Sequence, residues 1–314
     1  MSTEGSTKAV VAALLANTGI AVVKFLAFLL TGASSMLAEA IHSVADSGNQ
    51  VLLLLGGRQS RRRPTPEHPF GYGRERYIYA FIVAIVLFAV GGLFALYEAY
   101  HKGHELHATH GHPPDSLLDS QWWWVPLVVL VAAMVMESLS FRTAIRETNH
   151  VRGEASYVEF IRRAKQPELP VILLEDSAAL LGLGFALLGV GLSLLTQNLW
   201  FDVIGTALIG LLLVAVAVVL ATETKSLLLG ESASVAAEQR IVAELTATEG
   251  IGGIIHLKTM HLGPDELLVA AKIAVPPTDS AADVAANIDA AEAAIRGVEP
   301  TARVIYLEPD IRRT

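Results

Sequence analysis

Cysteine is absent from the 314 residues. That excludes disulfides and thiolate ligands, so any metal bound by this chain meets only nitrogen and oxygen. Charge is scarce as well. Asp, Glu, Lys and Arg make up 17% of the chain against 53% hydrophobic residues, and the mean hydropathy of +0.48 lies outside the range of a soluble domain. No His-Glu-x-x-His stands anywhere in the sequence, which argues against an intramembrane metallohydrolase. The opening Met1-Ser-Thr-Glu-Gly5 lacks the basic n-region and small-residue cleavage site of a signal peptide, so the first apolar stretch is expected to be retained.

What is present is hydrophobicity in blocks, near 8–31, 35–57, 77–100, 122–141, 170–195 and 199–221. Each is about the 20 residues a helix needs to cross a hydrocarbon core of roughly 30 Å. Basic residues gather in alternate connections. Arg58, Arg61, Arg62, Arg63, Arg74 and Arg76 follow the second block, and Arg142, Arg146, Arg152, Arg162, Arg163 and Lys165 follow the fourth. Thr31–Ser35 and Thr196–Leu199 carry no positive charge, and 101–120 carries only Lys102. The positive-inside rule then puts both termini and the two basic loops in the cytosol, with six spans in an inner or plasma membrane. In an acidic chain of net charge −8, Arg61-Arg62-Arg63 beside a span fits topology or anionic lipid, and no nucleic acid partner is expected. Trp122–Trp124 reads as an interfacial anchor. The stretch from Tyr157 to Lys165 reads either as an amphipathic helix on the inner surface or as a solvated connector.

Beyond Thr222 the pattern changes. A helix with a serine cap near Ser232–Ser234 is followed by strands over 251–260 and 266–275 flanking the turn Leu262-Gly-Pro-Asp265. A second helix over 279–296 and a last strand over 302–307 complete the order α-β-β-α-β. The expected architecture is an all-α six-helix transmembrane domain, 1–225, and a cytosolic α+β, ferredoxin-like domain, 226–314.

The second block carries Glu39, His42 and Asp46. Ionisable groups at that depth are costly and normally mark a substrate path or proton relay. His42 and Asp46, four residues apart, stand one above the other on a helical face and offer two ligands to one ion. The fifth block opens with Glu175 and Asp176. Adjacent residues diverge by about 100° on a helix, so one of them is expected to be a ligand and the other a neighbouring base or interfacial group. His42, Asp46, Asp176 and Glu175 together suit a small divalent metal, Zn²⁺ first, with Mn²⁺, Fe²⁺ and Co²⁺ open. Since His42 must be neutral to ligate, loading would release a proton. The alternative is a buried His–Asp bond holding helices together. Glu39 and Glu137 read equally as proton-path groups or helix-packing hydrogen bonders, and Lys24 and Asn17 as contacts to neighbouring helices. The outer-loop histidines His101, His104, His107, His110 and His112 read as a weak, flexible tract. His256 and His261 read as solvated.

These motifs resemble those of the cation diffusion facilitators, exporters of divalent metals, over nearly the whole chain. The resemblance rests on Asn17, His42-x-x-x-Asp46, His68-Pro-Phe-Gly-Tyr-Gly-Arg74, Glu223-Thr-Lys-Ser-Leu-Leu-Leu-Gly-Glu-Ser232 and the C-terminal α-β-β-α-β order. Ser35-Met-Leu-Ala-Glu-Ala-Ile-His42 and Leu173-Leu-Glu-Asp-Ser-Ala-Ala179 are most similar to the branch containing zinc transporter nine. It implies a homodimer alternating between inward-open and outward-open states, with Zn²⁺ as transported substrate exchanged for protons and no organic cofactor. It also implies two ligands each from the second and fifth helices, spaced four apart. Here Ile172 stands where the family usually has His or Asp, leaving the fourth ligand to Glu175, water, Asn49 or Glu137. Thr65 and Tyr72 occupy the places of a loop acid and histidine, and the C-terminal ligand positions are mostly apolar, with Glu308 the survivor. Neither accessory metal site is expected. A rival without transport, a membrane metal sensor or scaffold, differs from a transporter only in flux.

Overall fold

The computed structural model describes residues 18–109, 117–118 and 120–311; Asn17, His110 and His112 lie outside the described residues. Contacts divide the chain into two units. The first holds the chain up to Leu55 and Tyr79–Glu223, and the second holds Gly56–Ile78 together with the chain from Thr224 onward.

The first unit is helical. Helix α1 is described over Thr18–Thr31 and α2 spans Ser34–Gln59. Helix α3, Glu75–Val86, continues through a π-helical stretch, Leu87–Leu93, into α4, Phe94–Ala108. Then come α5, Val125–Arg152, the short α6, Tyr157–Arg163, α7, Glu168–Thr196, and α8, Trp200–Leu229. Among the described residues four stretches are long and apolar enough to cross a membrane: Glu75–Ala108, Val125–Arg152, Glu168–Thr196 and Trp200–Leu229. Helix α1 is shorter in its described part. Helix α2 has the length, 26 residues, but Glu39, His42, Asp46, Asn49 and Gln50 lower its hydropathy.

Packing runs in the sense expected where the solvent is hydrocarbon. Helix α1 buries Ala21, Lys24, Ala27 and Thr31 and exposes Val22, Val23, Phe25, Leu26, Leu29 and Leu30. Between helices in lipid there is no hydrophobic driving force, so small and polar residues face inward and large apolar ones outward. Helix α5 likewise exposes Val128, Val131, Val135 and Leu139. Leu183, Ala186 and Val190 of α7 pack with Ile209 and Leu213 of α8 in one buried cluster.

The start of α2 is tied to α8. The Asp202 carboxylate accepts from the backbone N–H groups of Ser34, at 2.7 Å, and Ser35, at 3.4 Å, and from the Ser35 hydroxyl. Those amides have no partner within the helix, and a carboxylate there also complements the helix dipole. The backbone N–H of Asp202 in turn donates to Ser193 of α7. Helix α6 does form: the Ser156 side chain accepts from the Glu159 N–H, Phe160 is buried and Val158 is exposed.

The second unit is a small mixed α+β fold. Helix α9, Val235–Ala247, is capped by Ser234, and α10, Ala281–Val298, by a reciprocal Ser280–Asp283 box. Strands β1, Gly253–Gly263, β2, Glu266–Ala274, and β3, Val304–Asp310, lie in the order β1-β2-β3. The first pair is antiparallel and the second parallel. A parallel neighbour needs a crossover, which α10 supplies. The order α-β-β-α-β is one strand short of the six-element ferredoxin-like unit. Alternation on β2 buries Leu267, Val269, Ala271 and Ile273 against Ile241 and Leu245 of α9 and Ile295 of α10.

Strand β1 extends three residues beyond its predicted end, which corrects one expectation. His261 is buried, not solvated, and its N–H donates to the carbonyl of Glu231; His256 is exposed. The connection between α2 and α3 packs on the β1–β2 turn within this unit. Arg76 pairs with Asp265 at 2.8 Å. The backbones of Gly73 and Gly263 approach so closely that a Cβ on Gly263 would lie 2.7 Å from the Gly73 Cα, so only glycine fits there.

Candidate metal centre

One face of α2 carries Glu39, His42, Ser43, Asp46, Asn49 and Gln50 at spacings of three and four, a polar stripe along one side of the helix. Seven buried side-chain atoms lack a hydrogen bond among the described residues, and five belong to this stripe: Glu39 Oε1, both His42 ring nitrogens, Asp46 Oδ1 and Asn49 Oδ1. Buried polar groups are normally satisfied, so this concentration needs an explanation. His42 is 1% exposed, and its Nδ1 lies 3.5 Å from Asp46 Oδ1, too far for a good hydrogen bond. The His–Asp pair therefore lacks the hydrogen bond that a helix-locking role would require.

On α7 the divergence of adjacent residues is resolved by partner. Glu175 is buried and accepts from Asn49 Nδ2 of α2 at 2.6 Å. Asp176 turns to α5 and accepts from Ser140 Oγ at 3.0 Å. Asp46, Gln50, Glu137, Ile172, Glu175 and Asp176 line one cavity of about 400 Å³ among α1, α2, α5 and α7. Glu168, at the first position of α7, also borders it. Ser43, Asp46 and Glu137 meet again around a void of about 10 Å³. Three of the four sequence-identified residues thus face the cavity, and His42 stands behind Asp46. Among the described residues no three His, Asp or Glu side chains approach closely enough to hold a metal ion. The polar stripe on α2 and Glu175 of α7 are linked by the Asn49–Glu175 bond.

Lys24 of α1 donates to Glu39 and to Ser43, each at 2.9 Å, which makes it a contact to the neighbouring helix. Ser140 and Asp202 escaped the sequence reading. Ser140 stands three residues after Glu137 in an apolar helix, a spacing that marks a shared face, and Asp202 is an acid in the first turn of the last apolar block.

Away from this cavity, Thr65 Oγ1 and Tyr72 OH are hydrogen-bonded at 3.2 Å, and Glu308 pairs with Lys272 at 3.1 Å. Lys272 is held above its ordinary pKa by hydrogen bonds to Asp310 and then Glu308. His101 and His104 on α4 stack on Tyr97 and Tyr100.

A family model, the cation efflux transmembrane domain, matches residues 10–229. The proton-coupled zinc antiporter SLC30A9, mitochondrial, of Xenopus laevis is 32% identical over 276 residues, 87% of this chain and 47% of the relative. Metal tolerance protein C4 of Arabidopsis thaliana is 27% identical over 270 residues, 85% of this chain and 57% of the relative. The chain spans about half the length of these curated relatives. A solved MamM-CTD structure covers 24% of this chain and 96% of its own, with 23% identity and a TM-score of 0.24.

Proposed function

We propose, since this chain belongs to the cation efflux family, that it spans the membrane six times and moves a divalent metal cation, Zn²⁺ first, in exchange for protons. His42, Asp46, Glu175 and Asp176 are the ligands in this reading. The observation that carries it is the cavity between α2 and α7, lined by the carboxylates of Asp46, Glu137, Glu175 and Asp176, with the Asp46 Oδ1 and, behind it, both His42 ring nitrogens lacking a hydrogen bond among the described residues. Ligands without thiolate suit Zn²⁺ and leave Mn²⁺, Fe²⁺ and Co²⁺ as substrates of the same site. The relative named a proton-coupled zinc antiporter supports zinc and proton coupling, and the metal tolerance protein supports a metal substrate.

The chemistry follows from these ligands. A metal entering the cavity meets Asp46 and Asp176 first, and opening the Asn49–Glu175 bond brings Glu175 to it. His42 ligates only as neutral imidazole and the carboxylates only when ionised, so loading expels protons. Protons and metal thereby compete for one set of groups, and alternation requires each to bind the two states unequally. In the same reading the chain works as a homodimer. Both termini and the 226–314 domain lie on the cytosolic side, that of the basic loops.

Equilibrium Zn²⁺ binding to the purified protein, with proton release read from buffers of different ionisation enthalpy, tests this. Asp46→Asn is expected to weaken binding at least tenfold and to lower the protons released. Unchanged affinity would remove Asp46 from the site.

A further inference from the structure

The mechanism above leaves one buried ion pair unused. Lys24 and Glu39 are 1% and 0% exposed, in helices that otherwise present apolar residues to lipid. A pair this deeply buried adds little net stability, because desolvation offsets its Coulomb attraction, and intramembrane charges generally mark ion pathways. Glu39 lies seven residues before Asp46 on α2, roughly 10 Å along the axis, on the far side of His42 from the cavity. Its Oε2 holds the Lys24 ammonium, which also reaches Ser43 Oγ. Its Oε1, wholly buried, has no hydrogen bond among the described residues. That oxygen faces α7 at Gly182, where a Cβ would sit 2.9 Å away, so the missing side chain leaves it room.

The site already holds a cation, and it keeps an unused carboxylate oxygen, a hydroxyl and, three residues on, an imidazole. From this we propose that Glu39 is a second station for the transported divalent cation, beyond His42 and Asp46. The ammonium of Lys24 occupies that station whenever the metal does not. The inference rests on the transport reading. A divalent ion and an ammonium repel at the separations a shared carboxylate imposes. Metal arriving at Glu39 therefore expels Lys24, and the tethered charge returns once the metal has left. Ser43 gives up the ammonium as Glu39 does. A resident cation of this kind keeps a buried carboxylate from trapping its cargo and closes the path behind it.

The test uses the full chain in nanodiscs with Zn²⁺ alone as probe, in an Asp46→Asn background where the first station is crippled. Adding Lys24→Met is expected to tighten Zn²⁺ binding at least tenfold, and further Glu39→Gln to abolish that gain. Exchanging the charges, Lys24→Glu with Glu39→Lys, is expected to return affinity to that of Asp46→Asn alone. Should Lys24→Met lose its monodisperse elution, Lys24→Gln, which still donates to Glu39 and Ser43 but carries no charge, takes its place with the same expectation. No gain in a well-behaved protein, or a gain that survives Glu39→Gln, overturns the second station while wild-type transport stands. A wild type that neither binds nor moves any divalent cation overturns both readings.

Discussion

At the scale of single residues, the site is defined by what each polar atom lacks. Glu175 has one firm partner, Asn49, at 2.6 Å, while its neighbour Asp176 is bonded to another helix. Removing the Asn49 amide leaves a buried carboxylate without its donor, a loss of about 1–3 kcal/mol. Asn49→Ala is therefore expected to lower the melting temperature of the metal-free protein. Zn²⁺, by occupying Glu175, is expected to raise the melting temperature more in Asn49→Ala than in wild type. Equal Zn²⁺-induced shifts in thermal melts would show that Glu175 is not drawn to the metal. The placement of His42 and Asp46 on one face of α2 was legible because they are one helical turn apart in an apolar run. The Asn49–Glu175 and Lys24–Glu39 bonds were not, because spacing within a helix says nothing of the register between helices.

At the scale of elements, helix starts are secured by acids and hydroxyls. Asp202 serves α2 from across the first unit, whereas Ser234 and Ser280 serve their own helices. The local caps could be read from sequence; Asp202 acts 168 residues from Ser34 and could not. In the second unit Glu299, just after α10, binds back to α9. Burial pushes its carboxyl up, but hydrogen bonds from Thr301 and Arg240 and the Arg240 charge outweigh that and hold its pKa below the usual value. A carboxylate with a lowered folded pKa contributes stability that is complete above its unfolded pKa, about 4.3, and lost as pH falls through the folded value. Glu299→Gln is thus expected to lose amide-exchange protection in α9 and α10 relative to wild type near pH 6. The difference should shrink as pH falls through the lowered pKa of the Glu299 carboxyl and vanish once that carboxyl is protonated and both side chains are neutral. A difference that persists in acid would assign the effect to hydrogen bonding rather than charge. The ends of β1 were misplaced by the sequence reading because the strand continues through His261, whose backbone N–H finds a partner in Glu231.

For the whole molecule, the apolar blocks located the helices, but among the described residues only four stretches pass as membrane spans on composition. Helix α2 falls short because its interior carries the residues proposed to handle the ion. Function and hydropathy therefore conflict within the same 26 residues, and a site inside a span weakens the signal by which the span is recognised. The membership of the α2–α3 connection in the second unit was also invisible in sequence, since Arg76 and Asp265 are 189 residues apart. The central claim is that a divalent cation crosses the membrane through the cavity between α2 and α7. Its most direct test is Zn²⁺ uptake into proteoliposomes containing a fluorescent indicator, with and without a pH gradient, for wild type and Asp46→Ala. Gradient-dependent uptake by wild type that disappears in Asp46→Ala is the predicted result. Wild-type protein that inserts and binds Zn²⁺ but moves no metal under either condition would contradict transport and leave a metal-binding sensor or scaffold.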